Sequence, residues 1–503
     1  MSVSRRGFIT ASAAAVAFHD SGAMFSGLRS VSADEARIPD GIVRLRPEIE
    51  PLVQLIENTE RARLLEEIGR RIRDGLSYRE VLAALLLAGV RNVEPRPAVG
   101  FKFHAVLVVN SAHIASLAAP DKDRWLPILW AIDEFKSSQA RDVEEGNWTM
   151  SPVDESRIPV GAALRTSFHE SMKNWDESLA DVSAAGIARQ LDAAETLELF
   201  AAYAARDFRS IGHKPIFLAN AWRTLQTIGW EHAEPILRSL AYAMLNHNGE
   251  PNPAENDLAP DRSWKQNSLL IETVRDGWEQ GRVDDAAVRE LLTLLHTGTA
   301  EDAARLVVAQ LNAGIGPQSI FNALHLAAGE LLMRQSGIVS LHASTTTNAL
   351  RFLFDHVANP STRLSLLLQN ASFLPQFRDA MKSRGAVTAA RILELEPVEN
   401  PSAVSLESIF DEVGRSRTSA GRQLLSWLNA GNSSAQLTDA ARRLVFLKGN
   451  DSHDYKFSSA VLEDCLKLSP EYQNRFLAAS SWMLKGSSMP TNSLVERIRM
   501  ALG

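Results

Sequence analysis

Cysteine is nearly absent: Cys465 stands alone in 503 residues. A single thiol excludes an internal disulfide, zinc sites built on two or four cysteines, and iron–sulfur clusters. It lies in the apolar stretch Leu462 to Leu466, where a thiol is inert, so cysteine catalysis has little footing. Alternating Val/Ile/Thr runs are scarce. No strand–Gly-loop–helix unit occurs, hence no dinucleotide fingerprint and no phosphate loop. The Gly-x-Ser-x-Gly elbow is missing, and with it the usual setting of a Ser-His-Asp triad. Glu-x-x-His pairs and His-Glu-x-x-His are missing too, which speaks against a carboxylate-bridged di-iron site. Covalent haem would need Cys-x-x-Cys-His, so any haem here is non-covalent. After the N-terminus no apolar run reaches the ~20 residues that span a bilayer, so stable membrane insertion is not expected. A basic excess is lacking as well. The net charge of −7 argues against nucleic acid as a partner.

What is present is an ordinary globular composition, 45% apolar, with apolar residues at helical spacing almost throughout. Leu82, Leu85, Leu86 and Gly89 follow that spacing, as do Ile187, Leu191, Leu197, Phe200, Tyr203 and Ala204. The reading is all-α. The chain opens with Ser4-Arg5-Arg6-Gly7-Phe8-Ile9-Thr10 ahead of the short apolar segment Phe8 to Phe18, a twin-arginine export pattern. Val31-Ser32-Ala33 supplies small residues for signal peptidase, which gives residues 1–33 as the signal peptide. The expected location is periplasmic or extracellular, with the twin-arginine translocase as a partner during export.

The sequence also repeats itself. Leu82 to Gly89 resembles Asn322 to Gly329, and Gly89 and Gly329 are 240 positions apart. His104 pairs with His342 and Asn110 with Asn348, both at 238, while His213 pairs with His453, Phe217 with Phe457 and Tyr242 with Trp482 at 240. This reads as an internal duplication: a first helical half over 34–246, a polar linker region over 247–285 and a second half over 286–503, in a pseudo-twofold arrangement. The breaker-rich stretch from Asn246 to Ser263 is expected not to form a regular helix.

Only 12 histidines occur, and four fall in register. If the halves face each other, His104, His213, His342 and His453 line one cavity as acid–base groups, metal ligands or haem ligands. The alternative is that each caps a helix or satisfies a buried hydrogen bond. Asn110, Asn220 and Asn348 follow their histidines by nearly two turns and are candidates for orienting a substrate carbonyl or water. Ala460 stands near the fourth such place. Lys456, three residues after His453, is a candidate for holding an anion. Lys214, next to His213, reads as a solvated lysine. His296, His325 and His356 read as core or surface histidines.

Phe103-His104-Ala-Val-Leu, His342-Ala-Ser-Thr-Thr-Thr-Asn-Ala-Leu-Arg351 and Ser452-His453-Asp-Tyr-Lys456 resemble the His motifs of questin oxidase-like proteins, over roughly Glu50 to Leu484. The resemblance implies oxygen-dependent oxidation of an aromatic or quinone-type small molecule, with NADPH as electron donor. His104, His342, His453 and Lys456 match the motif, and His213 joins them only through the repeat. Two other readings stay open: a non-catalytic helical-repeat binding protein, and a protein that binds a metal or non-covalent haem.

Overall fold

Many helix starts are written in the sequence as side-chain caps. Ser77 and Glu80 close a reciprocal capping box, as do Thr299 and Asp302, while Asp176, Asp192, Asp284 and Asn359 each accept from a backbone N–H one to three residues into the helix. The computed structural model describes residues 45–95, 101–245, 251–398 and 404–503. The export segment, 1–33, lies outside them. Residues 43–503 cluster as one unit. Among the described residues there is no strand, only an isolated bridge between Arg282 and Ile315. The all-α expectation holds.

In chain order the first helices are α1 (Glu50–Asn58), α2 (Arg61–Arg73), α3 (Tyr78–Asn92), the one-turn α4 (His104–Leu107), α5 (Val109–Ala118) and α6 (Leu126–Glu145). They continue with α7 (Ala162–Asn174), α8 (Glu177–Gln190), α9 (Ala193–Ala204), α10 (His213–Ile228), α11 (Ala233–Leu245) and α12 (Ala259–Ile271). Next come α13 (Asp285–Leu295), α14 (Ala300–Asn312), α15 (Pro317–Arg334), α16 (Ile338–His356) and α17 (Pro360–Met381). The last are α18 (Leu406–Val413), α19 (Arg417–Asn429), α20 (Ser434–Lys448), α21 (Ser452–Asp464), α22 (Pro470–Ser480) and α23 (Leu494–Leu502).

Helix α12 corrects one expectation. Residues 259–263 are helical, although the stretch through Ser263 reads as irregular. The breakers Asn252 and Pro253 lie upstream of the helix start. Pro260 sits at the first turn, where its missing N–H costs nothing, and Asp261 accepts from the Leu258 N–H at 3.1 Å.

Four helices form the centre. Helix α5 packs on α10, α10 on α16, α16 on α21, and α21 back on α5. Their sequences explain the position. Helices α10, α16 and α21 bury residues on nearly every face, as an interior helix must, whereas the outer α2 buries only Leu64, Leu65, Ile68 and Gly69. The surrounding contacts recur. Helix α1 packs on α3 as α13 does on α15, α8 on α11 as α19 does on α22, and α5 on α6 as α16 does on α17. Helix α12, from the region between the two sets, packs on α14 and α17, and α23, from the second, packs on α2 and α6 of the first.

Candidate functional site

The four in-register histidines meet at one end of the central ring. His104 opens α4, His213 opens α10, and His342 and His453 lie in the first turns of α16 and α21. Ring centroids are 4.3 Å apart for His104–His453, 4.6 Å for His213–His342, 5.0 Å for His104–His213, 5.2 Å for His342–His453 and 6.4 Å for His104–His342. The first three residues in chain order are buried, and His453 is 17% exposed at its side chain. All four line a cavity of about 700 Å³, together with Glu134, Arg209, Ser210, Asp451 and Ser452.

Backbone geometry fixes the tautomers. His213 Nδ1 is 2.8 Å from the Ser210 carbonyl oxygen, and His342 Nδ1 is 2.6 Å from that of Ile338. A carbonyl only accepts, so both rings carry their proton on Nδ1 and a lone pair on Nε2. His453 Nδ1 lies 2.6 Å from Asp451 Oδ1, a carboxylate that also caps α21 through the His453 N–H. The turn that presents Ser210 is strained. Ile211 has φ 46° and Gly212 φ 82°, and a β-branched residue in the left-handed region costs ~1–3 kcal/mol. A Cβ on Gly212 would run into Thr346 of α16, so glycine is what lets α10 start this close to it.

His213 Nε2 is 2.9 Å from His342 Nε2 and 2.9 Å from His104 Nε2. The His213–His342 contact brings two lone pairs together, which is repulsive without a cation. A shared proton is disfavoured. Burial holds His104, His213 and His342 far below the usual imidazole range, and Lys456 and the neighbouring rings lower them further. A metal ion fits better. The ligating nitrogens of His104, His342 and His453 lie within 4.8 Å of one another, and His213 touches two of these three rings. Two nitrogens ~2.1 Å from one ion at a right angle are about 3.0 Å apart, near the observed contact. A haem gripped from opposite faces would need them about 4 Å apart with the macrocycle between, so the facing pair does not fit one. Four helix N-termini oppose a cation by ~0.3–1 kcal/mol each. Metal–imidazole coordination, on the order of 10 kcal/mol for a structural site, outweighs them.

Lys456 lies just inside the ring. It is 2% exposed, its Nζ has no hydrogen-bond partner, and burial pushes its pKa down to about 7. Lys214 corrects the solvated reading. It is fully buried, with Nζ 2.6 Å from Asp207 and donating to the Met244 carbonyl at 3.0 Å. The three asparagines lie apart from the histidine cavity. Asn220 donates to the Leu107 carbonyl at 3.1 Å, and Asn348 to Asp464 at 2.7 Å and Glu463 at 2.9 Å. Asn110 and Asn348 line a separate cavity farther along the helices. Two turns of helix carry them down the axis, away from the rings. His325 is buried in the core, its pKa pushed down to about 3 by burial, with Nδ1 3.5 Å from Asp464.

Sequence reasoning missed Glu134, Asp451, Ser210 and Ile338. Asp451 had a signal, since Asp two residues before a helical histidine is a cap pattern. Ser210 and Ile338 contribute only carbonyls, which any residue supplies. Glu134 comes from the wall helix α6, where burial raises its pKa and Ser452 donates to it at 3.2 Å. No family model, curated protein or solved structure matches this chain.

Proposed function

We propose that His104, His213, His342 and His453 hold one transition-metal ion, and that the protein is an oxidoreductase of a small aromatic or quinone-type molecule with dioxygen as oxidant. The observation that carries the reading is the pair of Nε2 lone pairs 2.9 Å apart on His213 and His342. An all-imidazole donor set suits iron, copper, nickel or zinc. The right-angle spacing favours an ion with more than four coordination positions over tetrahedral zinc. When bound, such an ion supplies one-electron and dioxygen chemistry.

The chain's own residues do the rest. The Ser210 and Ile338 carbonyls and Asp451 orient three of the rings, as outer partners of metal ligands do. The cavity of about 700 Å³ leaves room for a small organic molecule. Arg141 and Arg384 on its wall favour an anionic oxygen such as a phenolate. Lys456 is placed to give or take a proton. NADPH as electron donor follows from the questin oxidase-like resemblance alone, and twin-arginine export belongs to the same proposal. Folded export suits a site loaded before translocation. We infer also that the recurring helix contacts reflect an internal duplication, which would explain why the imidazoles come in matched pairs.

The test is metal analysis and an absorption spectrum of the folded precursor, alongside His342→Ala. Metal bound by the wild type and lost in the variant, with helicity unchanged by circular dichroism, supports the reading. A metal-free wild type that still turns over a quinone overturns the metal part of it.

A further inference from the structure

The register that aligns the histidines aligns a second layer two to three turns along the same helices. Asn110 and Asn348 repeat the His104–His342 spacing. Arg223 and Glu463, 240 residues apart like His213 and His453, pair across the axis with Arg223 Nη2 2.7 Å from Glu463 Oε2. Arg223 Nη1 is also 3.3 Å from the side-chain oxygens of Asn220 and Asn348. Thus α10 contributes a cation and α21 an anion at equivalent positions, where identical charges would repel.

This layer encloses a small void of about 10 Å³, roughly the room one water needs, which reaches Lys456, one helical turn after His453. Its polar wall is made by Lys456, Ser459, Thr345 and the three asparagines, with Ile114, Ile216, Ala349 and Ala460 on the rest of its lining. Lys456 Nζ has no protein partner, and a buried ammonium or amine without one costs folding energy. On its outer side the void shares Asn110, Ile114, Arg223, Asn348 and Glu463 with a cavity of about 350 Å³. Polar groups therefore run from that cavity, past the Arg223–Glu463 pair, to Lys456. None of the void's lining residues lines the substrate-sized cavity above the histidines.

We infer that the axis of the four-helix ring is a second, polar entrance to the histidine site, which carries water to Lys456 and is closed at its outer end by the Arg223–Glu463 pair. The inference deepens the reading of that site, but its geometry stands whether or not a metal is bound. A wide cavity admits the organic molecule on one side, and a one-water channel hydrates the site from the other. The pair is the natural gate because both its side chains line the void and the outer cavity at once.

Substituted-cysteine accessibility tests this in the full chain. The background is Cys465→Ala, with Ser459→Cys as the reporter on the void and neutral methyl methanethiosulfonate as the probe. Labelling is expected to be slow with the pair intact and roughly tenfold faster or more in Arg223→Ala and in the milder Arg223→Gln, as an opened gate demands. The swap Arg223→Glu/Glu463→Arg should restore slow labelling, and Ile114→Trp should slow it further. Circular dichroism checks that each variant is folded. Equal rates with and without the pair overturn the proposal, as does a rate that falls only when the upper cavity is filled by Val339→Trp. Metal content is read separately in the same samples, so failure of the entrance and failure of the metal site remain distinct.

Discussion

Lys456 shows how a single buried residue here costs stability. A buried lysine with no partner destabilises the fold, and burial pushes its pKa down to about 7. The folded value lies below the unfolded value of about 10.4, so the unfolded chain binds the extra proton. The cost is full below about pH 7, shrinks as pH rises towards 10, and is absent above. Lys456→Met is therefore expected to stabilise the protein at pH 7 by a sizeable part of a shift worth on the order of 4 kcal/mol. The advantage should vanish in denaturant melts at about pH 10.5. An unchanged advantage at both pH values would mean that packing, not charge, set the cost. The turn before His213 follows the same logic, since Ile211 holds a strained conformation at the point that aims a carbonyl at a site ring.

At the scale of elements, the site depends on where helices begin. The loop between α9 and α10 is held by Asp207, which faces Lys214 at 2.6 Å and Arg209 at 2.9 Å. Burial alone would raise the Asp207 pKa. The two cations outweigh it and hold the carboxyl well below its usual range. Asp207→Asn leaves Lys214 buried without its counter-charge, while Arg209 keeps Asp261 at 3.8 Å, and is expected to cost about 3–5 kcal/mol in urea melts. The wild type should lose the same stabilisation as pH falls below about 4, because the depressed carboxylate must then be protonated. A cost under about 1 kcal/mol would show that the loop relaxes freely.

Helices are the legible part of this sequence. Period marks α3, α10, α16 and α21, side-chain caps mark the starts of α3 and α21, and histidine register marks one residue near the start of α10, α16 and α21 and one on α4, just ahead of α5. Lys214 reads as solvated because its partner Asp207, seven residues upstream, leaves no periodic trace. The asparagines are misplaced by the sequence because sharing a helix face with a histidine says nothing about depth along the axis. Carbonyl partners of the rings cannot be read at all, since backbone groups carry no sequence signature.

At the scale of the whole molecule, two sets of helices with recurring contacts build one ring, and the C-terminal α23 of the second set packs on the first. That arrangement brings residues far apart in the chain, His104 and His453, to 4.3 Å between ring centroids. It also gives the ring two different ends: imidazoles under a large cavity at one, and an amide layer with an ion pair across the axis at the other.

The most direct check is the metal content of the purified folded chain, set beside that of His213→Ala, whose ring touches both His104 and His342. About one transition-metal ion per chain is expected in the wild type, with most of it lost in the variant and helicity unchanged in both. A wild type that stays metal-free after growth and reconstitution with iron, copper, nickel and zinc would contradict the shared-ion site. So would a variant that binds metal as tightly as the wild type.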